Sequence, residues 1–286
     1  MSGSVIGAVG ILGTLGLTFG TLIAVLSKRL WVWEDPRIDA VTSMLPGNNC
    51  GACSQPGCRG FAEAVIAGVI PPARCTVMSP DQASAVADFL GVDKGVAVRR
   101  VARLRCGGGS RRAVRHAAYR GLPTCMAAAA VARGGTGCAW ACVGLADCER
   151  ACDFAAITMN ADDLPVVTPA LCTACGDCVD ACPKDLFTLM PVEHKLLVQC
   201  RSLLEGGAAD ALCSAACNAC GRCVADAAPG LIHMEHGLAT IDYGQHELAQ
   251  PSAAARCPTH AIVWVDGAQF SPAGREAPAA MAGRPS

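Results

Sequence analysis

The chain has few large side chains and few charged ones. Only 4% of its 286 residues are aromatic and 16% are charged, although 52% are hydrophobic. Bulky side chains are therefore too scarce to pack several cores on their own. The formal net charge of −1 gives no support for a nucleic-acid partner. The glycine runs at 107–109 and 134–137 lack the spacing of nucleotide-binding loops, so the sequence shows no nucleotide fingerprint.

Cysteine, by contrast, is abundant, with 20 residues. One group reads C-x2-C-x2-C-x3-C-P, which is the spacing of bacterial ferredoxins. It consists of Cys172, Cys175, Cys178 and Cys182, followed by Pro183. In that pattern the first three thiolates bind one 4Fe-4S cluster and the fourth binds a neighbouring cluster. A second, reciprocal group is therefore expected nearby.

The reciprocal group lies just upstream with looser spacing. It consists of Cys138, Cys142, Cys148 and Cys152. Exchange of the fourth ligand predicts one 4Fe-4S cluster on Cys172, Cys175, Cys178 and Cys152, and another on Cys138, Cys142, Cys148 and Cys182. A pair of zinc sites is the alternative, because C-x2-C also occurs in zinc ribbons. The third close cysteine and the Cys-Pro ending favour iron-sulfur clusters.

A third region repeats the pattern with losses. Cys217, Cys220 and Cys223 begin a ferredoxin motif, but Ala227 stands where its fourth cysteine is expected. The partner motif retains only Cys257, followed by Pro258. By the exchange rule these losses remove one cluster and leave one complete ligand set: Cys217, Cys220, Cys223 and Cys257. His246 lies near the missing motif and is interpreted as a loop residue, not as a ligand.

A fourth group lies near the amino end. It consists of Cys50, Cys53, Cys58 and Cys75, with the spacing C-x2-C-x4-C-x16-C. No reciprocal ligand is nearby, so this group predicts a single self-contained cluster. Glycine, proline and asparagine around it provide turns that let backbone amides face the sulfurs. Zinc remains an alternative at this site.

Four cysteines remain: Cys106, Cys125, Cys200 and Cys213. Cys106 and Cys200 each follow a strand-like segment, and each is followed by a glycine-containing loop and a second cysteine. This twofold similarity favours a fifth cluster bound by two pairs, and buried free thiols are an equal alternative. Disulfides are disfavoured if this part of the chain is cytosolic. The sequence therefore predicts four 4Fe-4S clusters, or five if this last group binds one.

The first thirty residues contain a long apolar run. Residues 5–26 carry no charge, and 22 residues are enough to span a bilayer core at about 1.5 Å per residue. Lys28 and Arg29 follow at once, and no lysine or arginine precedes them, so the positive-inside rule predicts an outside amino end. A cleaved signal peptide is the competing interpretation, which the length and the basic ending of the run disfavour. Trp31 and Trp33 suit the membrane interface.

These observations predict an α+β chain with one transmembrane helix, a small helical 4Fe-4S domain and ferredoxin-like repeats. The predicted divisions are an anchor (1–28), a single-cluster domain (29–92), a connecting module (93–135), a two-cluster ferredoxin domain (136–192), a degenerate one-cluster ferredoxin domain (193–266) and a disordered tail (267–286). We expect the clusters to replace much of the missing core, so that removing metal unfolds the domains.

The secondary structure follows from capping and alternation. One helix is expected over about 59–67, and another begins at the capping box of Ser79 and ends at Gly91. An alanine-rich helix follows Cys125. Strand-like segments are expected at 98–104, 196–198 and 261–265, with hairpins pairing 156–159 with 165–168 and 231–234 with 239–242.

The layout resembles a known family. Asp35-Pro36-Arg37, Leu45-Pro46-Gly47, Cys50-Gly51-Ala52-Cys53 and Pro56-Gly57-Cys58 after a membrane helix are similar to the B subunit of the Rnf (Rsx) ion-translocating ferredoxin:NAD oxidoreductase, in its longer form with additional ferredoxin repeats. The resemblance covers the chain to about residue 266. The chain departs from the family pattern at Ser54 and Gln55, where Gly and an aromatic residue are usual, and at Ala227, where one cluster is lost.

The resemblance implies an electron-transfer subunit of an ion pump, anchored by a single pass in a bacterial or archaeal cell (inner) membrane with its iron-sulfur domains in the cytoplasm. Its implied partners are soluble ferredoxin as donor and the integral and peripheral subunits of the complex, which would carry the flavin and NAD chemistry. The chain itself needs no catalytic acid, base or nucleophile. Two alternatives stay open: the electron-input subunit of a non-pumping membrane reductase, and a non-redox metal-stabilised assembly module.

Overall fold

The amino-terminal helix is long, apolar and exposed. The structure is a computed structural model that describes residues 2–30, 34–96 and 98–273. Helix α1 (Ser2–Arg29) contains a 21-residue stretch, Val9–Arg29, with a mean hydropathy of 2.1. That stretch is long and apolar enough to cross a membrane, as predicted, and its leucines are exposed. Trp31 and Trp33, expected at the membrane interface, lie outside the described residues.

A small helical domain follows. Its helices are α2 (Pro36–Met44), α3 (Gly57–Ile66) and α4 (Pro80–Leu90), with a 3-10 turn at Pro72–Arg74. Val41, Phe61 and Val86 come from the three helices and form a core with no more than 1% of their surface exposed. Helix α4 begins with the predicted capping box, in which Ser79 and Gln82 exchange side-chain and backbone hydrogen bonds. It ends at Gly91 in the left-handed conformation, also as predicted.

The first ferredoxin-like repeat consists of four short strands and four short helices. In chain order these are β1 (Arg100–Leu104), α5 (Gly109–Arg112), α6 (Cys125–Ala130), α7 (Asp147–Arg150), β2 (Ile157–Met159), β3 (Pro165–Val167), α8 (Asp177–Asp180) and β4 (Phe187–Pro191). A 3-10 turn at Ala132–Gly135 follows α6. Strand β1 pairs antiparallel with β4, and β2 pairs antiparallel with β3.

The second repeat has the same strand order and pairing. In chain order it contains β5 (Leu196–Val198), α9 (Gly206–Leu212), α10 (Arg222–Asp226), β6 (Ile232–Glu235), β7 (Leu238–Ile241), α11 (Ser252–Ala255) and β8 (Ile262–Trp264), with a 3-10 segment at Tyr243–Leu248. Strand β5 pairs antiparallel with β8, and β6 with β7. The two hairpins and the last strand confirm the predicted segments.

The observed strand pairing does not separate the predicted connecting module 93–135 from the first repeat. Its strand β1 forms a sheet with β4, a segment that the sequence does not identify as a strand, so β1 belongs to the first repeat. Alternation along the sequence identifies a strand but not its partner, and here Leu104 lies opposite Phe187, 83 positions further along the chain. The first repeat therefore begins at about residue 100, not at 136.

The tail also departs from its prediction over its first residues. Gln269 and Phe270 are 5% and 3% exposed. The Gln269 side chain accepts a hydrogen bond from the Leu104 backbone N–H at 2.9 Å and donates to the Leu104 carbonyl at 2.7 Å. Its amide also donates to Gln199 Oε1 at 3.2 Å, which joins both repeats through one side chain. The predicted disordered tail at 274–286 lies outside the described residues.

Cysteines are part of the interior of both repeats. The core of the second repeat combines Leu196, Leu231 and Ile262 with the buried Cys213, Cys217 and Cys223. The core of the first repeat surrounds Cys148 and Cys178 in the same way. Small aliphatic residues and sulfur atoms thus fill the space that bulky aromatic residues occupy in other domains.

Candidate metal centres

The cysteines form five groups, which are called sites 1 to 5. Site 1 is the amino-terminal set, site 2 contains Cys142, Cys148 and Cys182, site 3 contains Cys172, Cys175 and Cys178, site 4 contains Cys217, Cys220 and Cys223, and site 5 contains Cys106, Cys200 and Cys213. Open cavities of about 310 to 350 Å³ lie at sites 1, 3, 4 and 5, counting the part open to solvent. Each of these four cavities is lined by four cysteines.

At site 1 all four predicted residues meet. The cavity of about 350 Å³ is lined by Cys50, Cys53, Cys58 and Cys75. Asn49 fixes the loop, because its Oδ1 accepts a hydrogen bond from the Cys58 backbone N–H at 2.8 Å. Gly57 has a φ of +86°, which favours glycine. A Cβ at this position would also lie only 2.9 Å from Asn49 Oδ1, so the side-chain amide of Asn49 fits here because residue 57 has no side chain. The loop between α2 and α3 therefore presents Cys50 and Cys53, the first turn of α3 presents Cys58, and the end of the 3-10 turn presents Cys75.

At site 3 the structure brings the exchanged ligand to the cavity. The cavity of about 310 Å³ is lined by Cys172, Cys175, Cys178 and Cys152. Cys152 follows α7, and its sulfur accepts a hydrogen bond from the Ala156 backbone N–H at 3.4 Å. The juxtaposition is the one that the ferredoxin spacing predicts.

At site 4 the four predicted residues also line one cavity, of about 340 Å³. They are Cys217, Cys220, Cys223 and Cys257. Ala227 directly follows α10 as its cap residue. His246 does not line the cavity, and its ring packs against that of His194 with centroids 4.5 Å apart. Cys257 reaches the site although 33 residues separate it from Cys223, because β6 and β7 fold back between them.

The remaining cysteines are grouped differently from the prediction. The cavity of about 320 Å³ at site 5 is lined by Cys106, Cys200, Cys213 and Cys138. The sequence predicts Cys138 at site 2 and Cys125 at site 5. Cys138, and not Cys125, lines this cavity, because Cys138 packs with the core of the second repeat.

Cys125 lies beside the other members of site 2. It begins α6, and the backbone N–H of the next residue, Met126, donates to the Asp147 carboxylate at 3.1 Å. Burial raises the pKa of the Cys148 thiol to about 12, with the neighbouring thiolates of Cys125 and Cys182 as the next causes. Cys125 therefore shares its surroundings with Cys148 and Cys182.

The chemistry of the donor atoms fits an iron-sulfur cluster. Burial also raises the pKa of the Cys178 and Cys213 thiols to about 12, with adjacent thiolates contributing to the rise. Four thiolates in one apolar cavity repel each other unless bound metal compensates their charge, and metal binding releases the thiol protons. Backbone N–H groups already face several sulfurs, such as Ser202 N–H toward Cys200 at 3.4 Å, as cluster sulfurs require.

A buried arginine, Arg103, lies beside site 3, and no motif in the sequence marks it. Arg103 lies in the middle of the hydrophobic strand β1 and is only 1% exposed, which makes it the largest fully buried side chain described. Its Nη1 donates to the Gly267 carbonyl at 2.7 Å. Burial lowers the pKa of its guanidinium, and the Cys172 thiolate opposes that shift. The signal in the sequence is an arginine directly between two apolar residues, Ala102 and Leu104, in the interior of the strand.

Two family models match parts of the chain. The model described as a putative Fe-S cluster matches residues 45–77, which include all of site 1. The model described as a 4Fe-4S binding domain matches residues 165–188, which include Cys172, Cys175, Cys178 and Cys182. Iron-sulfur clusters are therefore the cofactors of this chain.

Whole-chain relatives agree. The chain is 38% identical over 262 residues to the B subunit of the Na⁺-translocating ferredoxin:NAD⁺ oxidoreductase complex of Acetobacterium woodii, covering 92% of this chain and 78% of the relative. It is 34% identical to the B subunit of the ion-translocating oxidoreductase complex of Methanosarcina acetivorans, covering 92% and 99%. It is also 34% identical to the proton-translocating counterpart of Clostridium ljungdahlii, covering 87% and 88%. The chain is thus an iron-sulfur electron-transfer subunit, and it belongs to the family of B subunits of ion-translocating oxidoreductase (Rnf) complexes.

Proposed function

We propose that this chain receives electrons from reduced ferredoxin and relays them into a membrane complex that reduces NAD and translocates sodium ions or protons. The observation that carries the proposal is the series of four-cysteine cavities in a chain whose relatives are named for this activity. The same relatives are named as subunits of such a complex, which supports its other subunits as partners of this chain.

The ligand sets of three sites follow the sequence prediction. Cys50, Cys53, Cys58 and Cys75 bind the cluster at site 1; Cys172, Cys175, Cys178 and Cys152 bind that at site 3; Cys217, Cys220, Cys223 and Cys257 bind that at site 4. The common lining of each cavity supports these sets. When bound, the clusters supply one-electron transfer. The chain contributes the positions of the thiolates, the N–H donors that face them and the local charge, which together set the potentials.

The apolar stretch of α1 anchors the chain in the cell membrane in a single pass. Lys28 and Arg29 end that stretch, and positive charge at this end favours the cytoplasmic side. The amino end is then outside, and the iron-sulfur domains face the cytoplasm, where ferredoxin is soluble.

The test uses the whole complex in inverted membrane vesicles. Reduced ferredoxin and NAD are supplied, and NADH formation is measured together with uptake of ²²Na⁺ or acidification of the vesicle interior. We expect NADH formation coupled to uptake, and loss of both with Cys217→Ala, which removes a ligand of site 4. Arg222→Ala, at the first residue of α10 beside the same ligands and not itself a ligand, is the matched control and should retain both.

The alternatives give different results. NADH formation or quinone reduction without ion uptake, unaffected by ionophores, would identify a non-pumping reductase. Zinc without acid-labile sulfide in the purified chain would identify an assembly module and would overturn the electron-transfer proposal.

A further inference from the structure

We propose that the chain binds a fifth 4Fe-4S cluster, at site 5, and that Cys125 replaces Cys138 as the fourth ligand of site 2. The ligands of site 5 are Cys106, Cys138, Cys200 and Cys213. Those of site 2 are Cys125, Cys142, Cys148 and Cys182. The inference depends on iron-sulfur binding, but not on ferredoxin as donor or on ion translocation.

Site 5 is built from equivalent positions of the two repeats. Cys106 lies two residues after the end of β1, and Cys200 lies two residues after the end of β5. Cys138 lies four residues before Cys142, and Cys213 lies four residues before Cys217. Each repeat therefore contributes one cysteine after its first strand and one before its first motif loop. Such a pairing predicts a shared site between the repeats.

The cavity at site 5 brings these positions together. Gly108 shows how close two of the sulfurs lie, because a Cβ built there would be 3.1 Å from Cys213 Sγ and 3.8 Å from Cys106 Sγ. The thiols of Cys138 and Cys106 line this cavity together, and Ser202 lines it beside them. Arg105 and Arg201 also line the cavity and supply positive charge beside the four thiols.

The backbone explains why site 2 lacks one motif cysteine. Three loops share a pattern: residues 142–148, 172–178 and 217–223. In each loop the third and fifth residues have positive φ, at Gly144 and Ala146 (81° and 63°), Ala174 and Gly176 (56° and 107°), and Ala219 and Gly221 (60° and 70°). The residue between them is Cys175 in the second loop and Cys220 in the third. In the first loop it is Leu145, so the loop that forms site 2 lacks its middle thiol.

Cys125 fills the position that Leu145 leaves without a sulfur. The backbone N–H groups of Asp147 and Leu145 lower the pKa of the Cys125 thiol, as the N–H of Asp177, at the position equivalent to Asp147, lowers that of Cys175, so Cys125 lies against the same part of its loop. The side chain of Thr124 caps α6 and fixes its first residue, Cys125, against the start of α7. An insertion between β1 and the first loop thus supplies the missing ligand from outside the motif.

With these assignments site 5 connects the two repeats. Cys178 of site 3 has Cys148 of site 2 as a charge neighbour. The Cys142 backbone N–H lies 3.4 Å from Cys106 Sγ, which brings site 2 next to site 5. Cys200 has Cys217 as a neighbour, whose backbone N–H lowers and whose thiolate raises the pKa of the Cys200 thiol, which brings site 5 next to site 4. The order of neighbouring sites is therefore 3, 2, 5 and 4.

The first test counts iron and acid-labile sulfide in the full-length chain, purified anaerobically in detergent. Five 4Fe-4S clusters correspond to about twenty irons per chain. Cys138→Ala and Cys213→Ala are each expected to lose about four irons, and the double variant also only about four, because both residues serve one cluster. Cys138→Ala combined with Cys148→Ala is expected to lose about eight. A loss of about eight from the first pair and about four from the second would place Cys138 at site 2 and overturn the proposal.

The second test restores the motif cysteine. Cys125→Ala is expected to lose about four irons, and Leu145→Cys in the same chain is expected to recover them. Leu122→Cys adds a thiol three residues from position 125 on an exposed side chain and should recover none. Failure of Leu145→Cys to recover iron would overturn the assignment of Cys125.

A third measurement leaves every native ligand in place. In the parent chain all twenty cysteines are expected to resist iodoacetamide, as read by mass spectrometry. Leu145→Cys alone should keep about twenty irons and expose Cys125 to alkylation. A parent chain with about sixteen irons and alkylated Cys106, Cys200 and Cys213 would overturn the fifth site. In the reduced state, spin–spin broadening of the EPR signals should decrease in Cys213→Ala, because the link between the repeats is lost.

Discussion

Replacement of Arg103 is predicted to lower the reduction potential of site 3. Arg103 follows Ala102, which lines the cavity of that site, and Cys172 is the thiolate that acts on its pKa. Within the described ranges, Arg103 Nε and Nη2 have no hydrogen-bond partner. The negative charge that acts on the Arg103 guanidinium is the Cys172 thiolate at site 3. A buried cation favours the more negative, reduced form of a nearby cluster. Arg103→Met keeps the length of the side chain and removes this charge.

The size of the effect follows from Coulomb's law. For a charge about 10 Å from the cluster in a medium with an effective dielectric constant of about 20, the interaction is about 1.7 kcal/mol. Since a tenfold change in a one-electron equilibrium, about 1.4 kcal/mol, corresponds to 59 mV, the potential should fall by about 70 mV. Stability should not fall with it, because the variant also removes a buried and poorly partnered charge.

The assay is an EPR-monitored redox titration of the full-length chain, with iron content measured in parallel. Arg100→Met is the matched control, since Arg100 is an exposed residue of the same strand. We expect one cluster to shift in Arg103→Met, none in Arg100→Met, and unchanged iron in both. An unchanged set of potentials in Arg103→Met with full iron content would refute the reasoning, as would a shift to higher potential.

Three further predictions concern stability. Anaerobic removal of iron with a chelator and a mild oxidant should abolish the far-UV circular dichroism of the two repeats, because metal–thiolate bonds contribute folding energy directly. Helix α1 should stay helical. Retention of the native spectrum would contradict this prediction. Gly109→Ala should lower the temperature at which visible absorption is lost, by an amount equivalent to roughly 2–4 kcal/mol of stability. Residue 109 has a φ of +60°, and an added Cβ would collide with the Asp162 carbonyl oxygen. Gly207→Ala, where no atom lies near the added Cβ, is the control. Burial, and then the charge of His246, lower the pKa of His194 below 6.5, so its contribution to stability is complete above pH 6.5 and is lost as the pH falls through the lowered value. His194→Phe should therefore flatten the acid side of the plot of melting temperature against pH. An unchanged plot would exclude His194 as the cause of the loss of stability in acid.

The sequence predicts the sites whose spacing follows the ferredoxin rule. At sites 3 and 4 the exchanged cysteines, Cys152 and Cys257, lie where the rule places them. The rule works because a short loop and the helix after it fix the directions of the thiols. Site 1 is equally local, since Cys50 and Cys53 lie in the loop between α2 and α3 and Cys58 lies in the first turn of α3.

The exchange of Cys125 and Cys138 cannot be read from spacing alone. Both residues lie in the long insertion between β1 and α7, where no local rule fixes the direction of a side chain. Cys138 resembles the first motif residue because it precedes Cys142 by only four positions. The signal in the sequence is Leu145, which stands in the middle of a loop that otherwise matches Cys172 to Cys178 and Cys217 to Cys223.

Long-range pairing is likewise beyond the sequence. Strand β1 is recognisable as strand-like, but its pairing with β4 depends on the packing of the whole repeat. The composition of the tail suggests disorder from residue 267. The burial of Gln269 and Phe270 depends on an opening beside Leu104 that exists only in the folded protein.

The bonds between Gln269 and Leu104 have a consequence for biogenesis. Residues 104 and 269 are 165 positions apart, so Gln269 leaves the ribosome long after Leu104. Domains generally fold in the order in which they are synthesised, but the backbone of Leu104 in the first repeat lacks the Gln269 side chain until residue 269 has emerged. Final packing of the first repeat around Leu104 therefore follows synthesis of the whole second repeat.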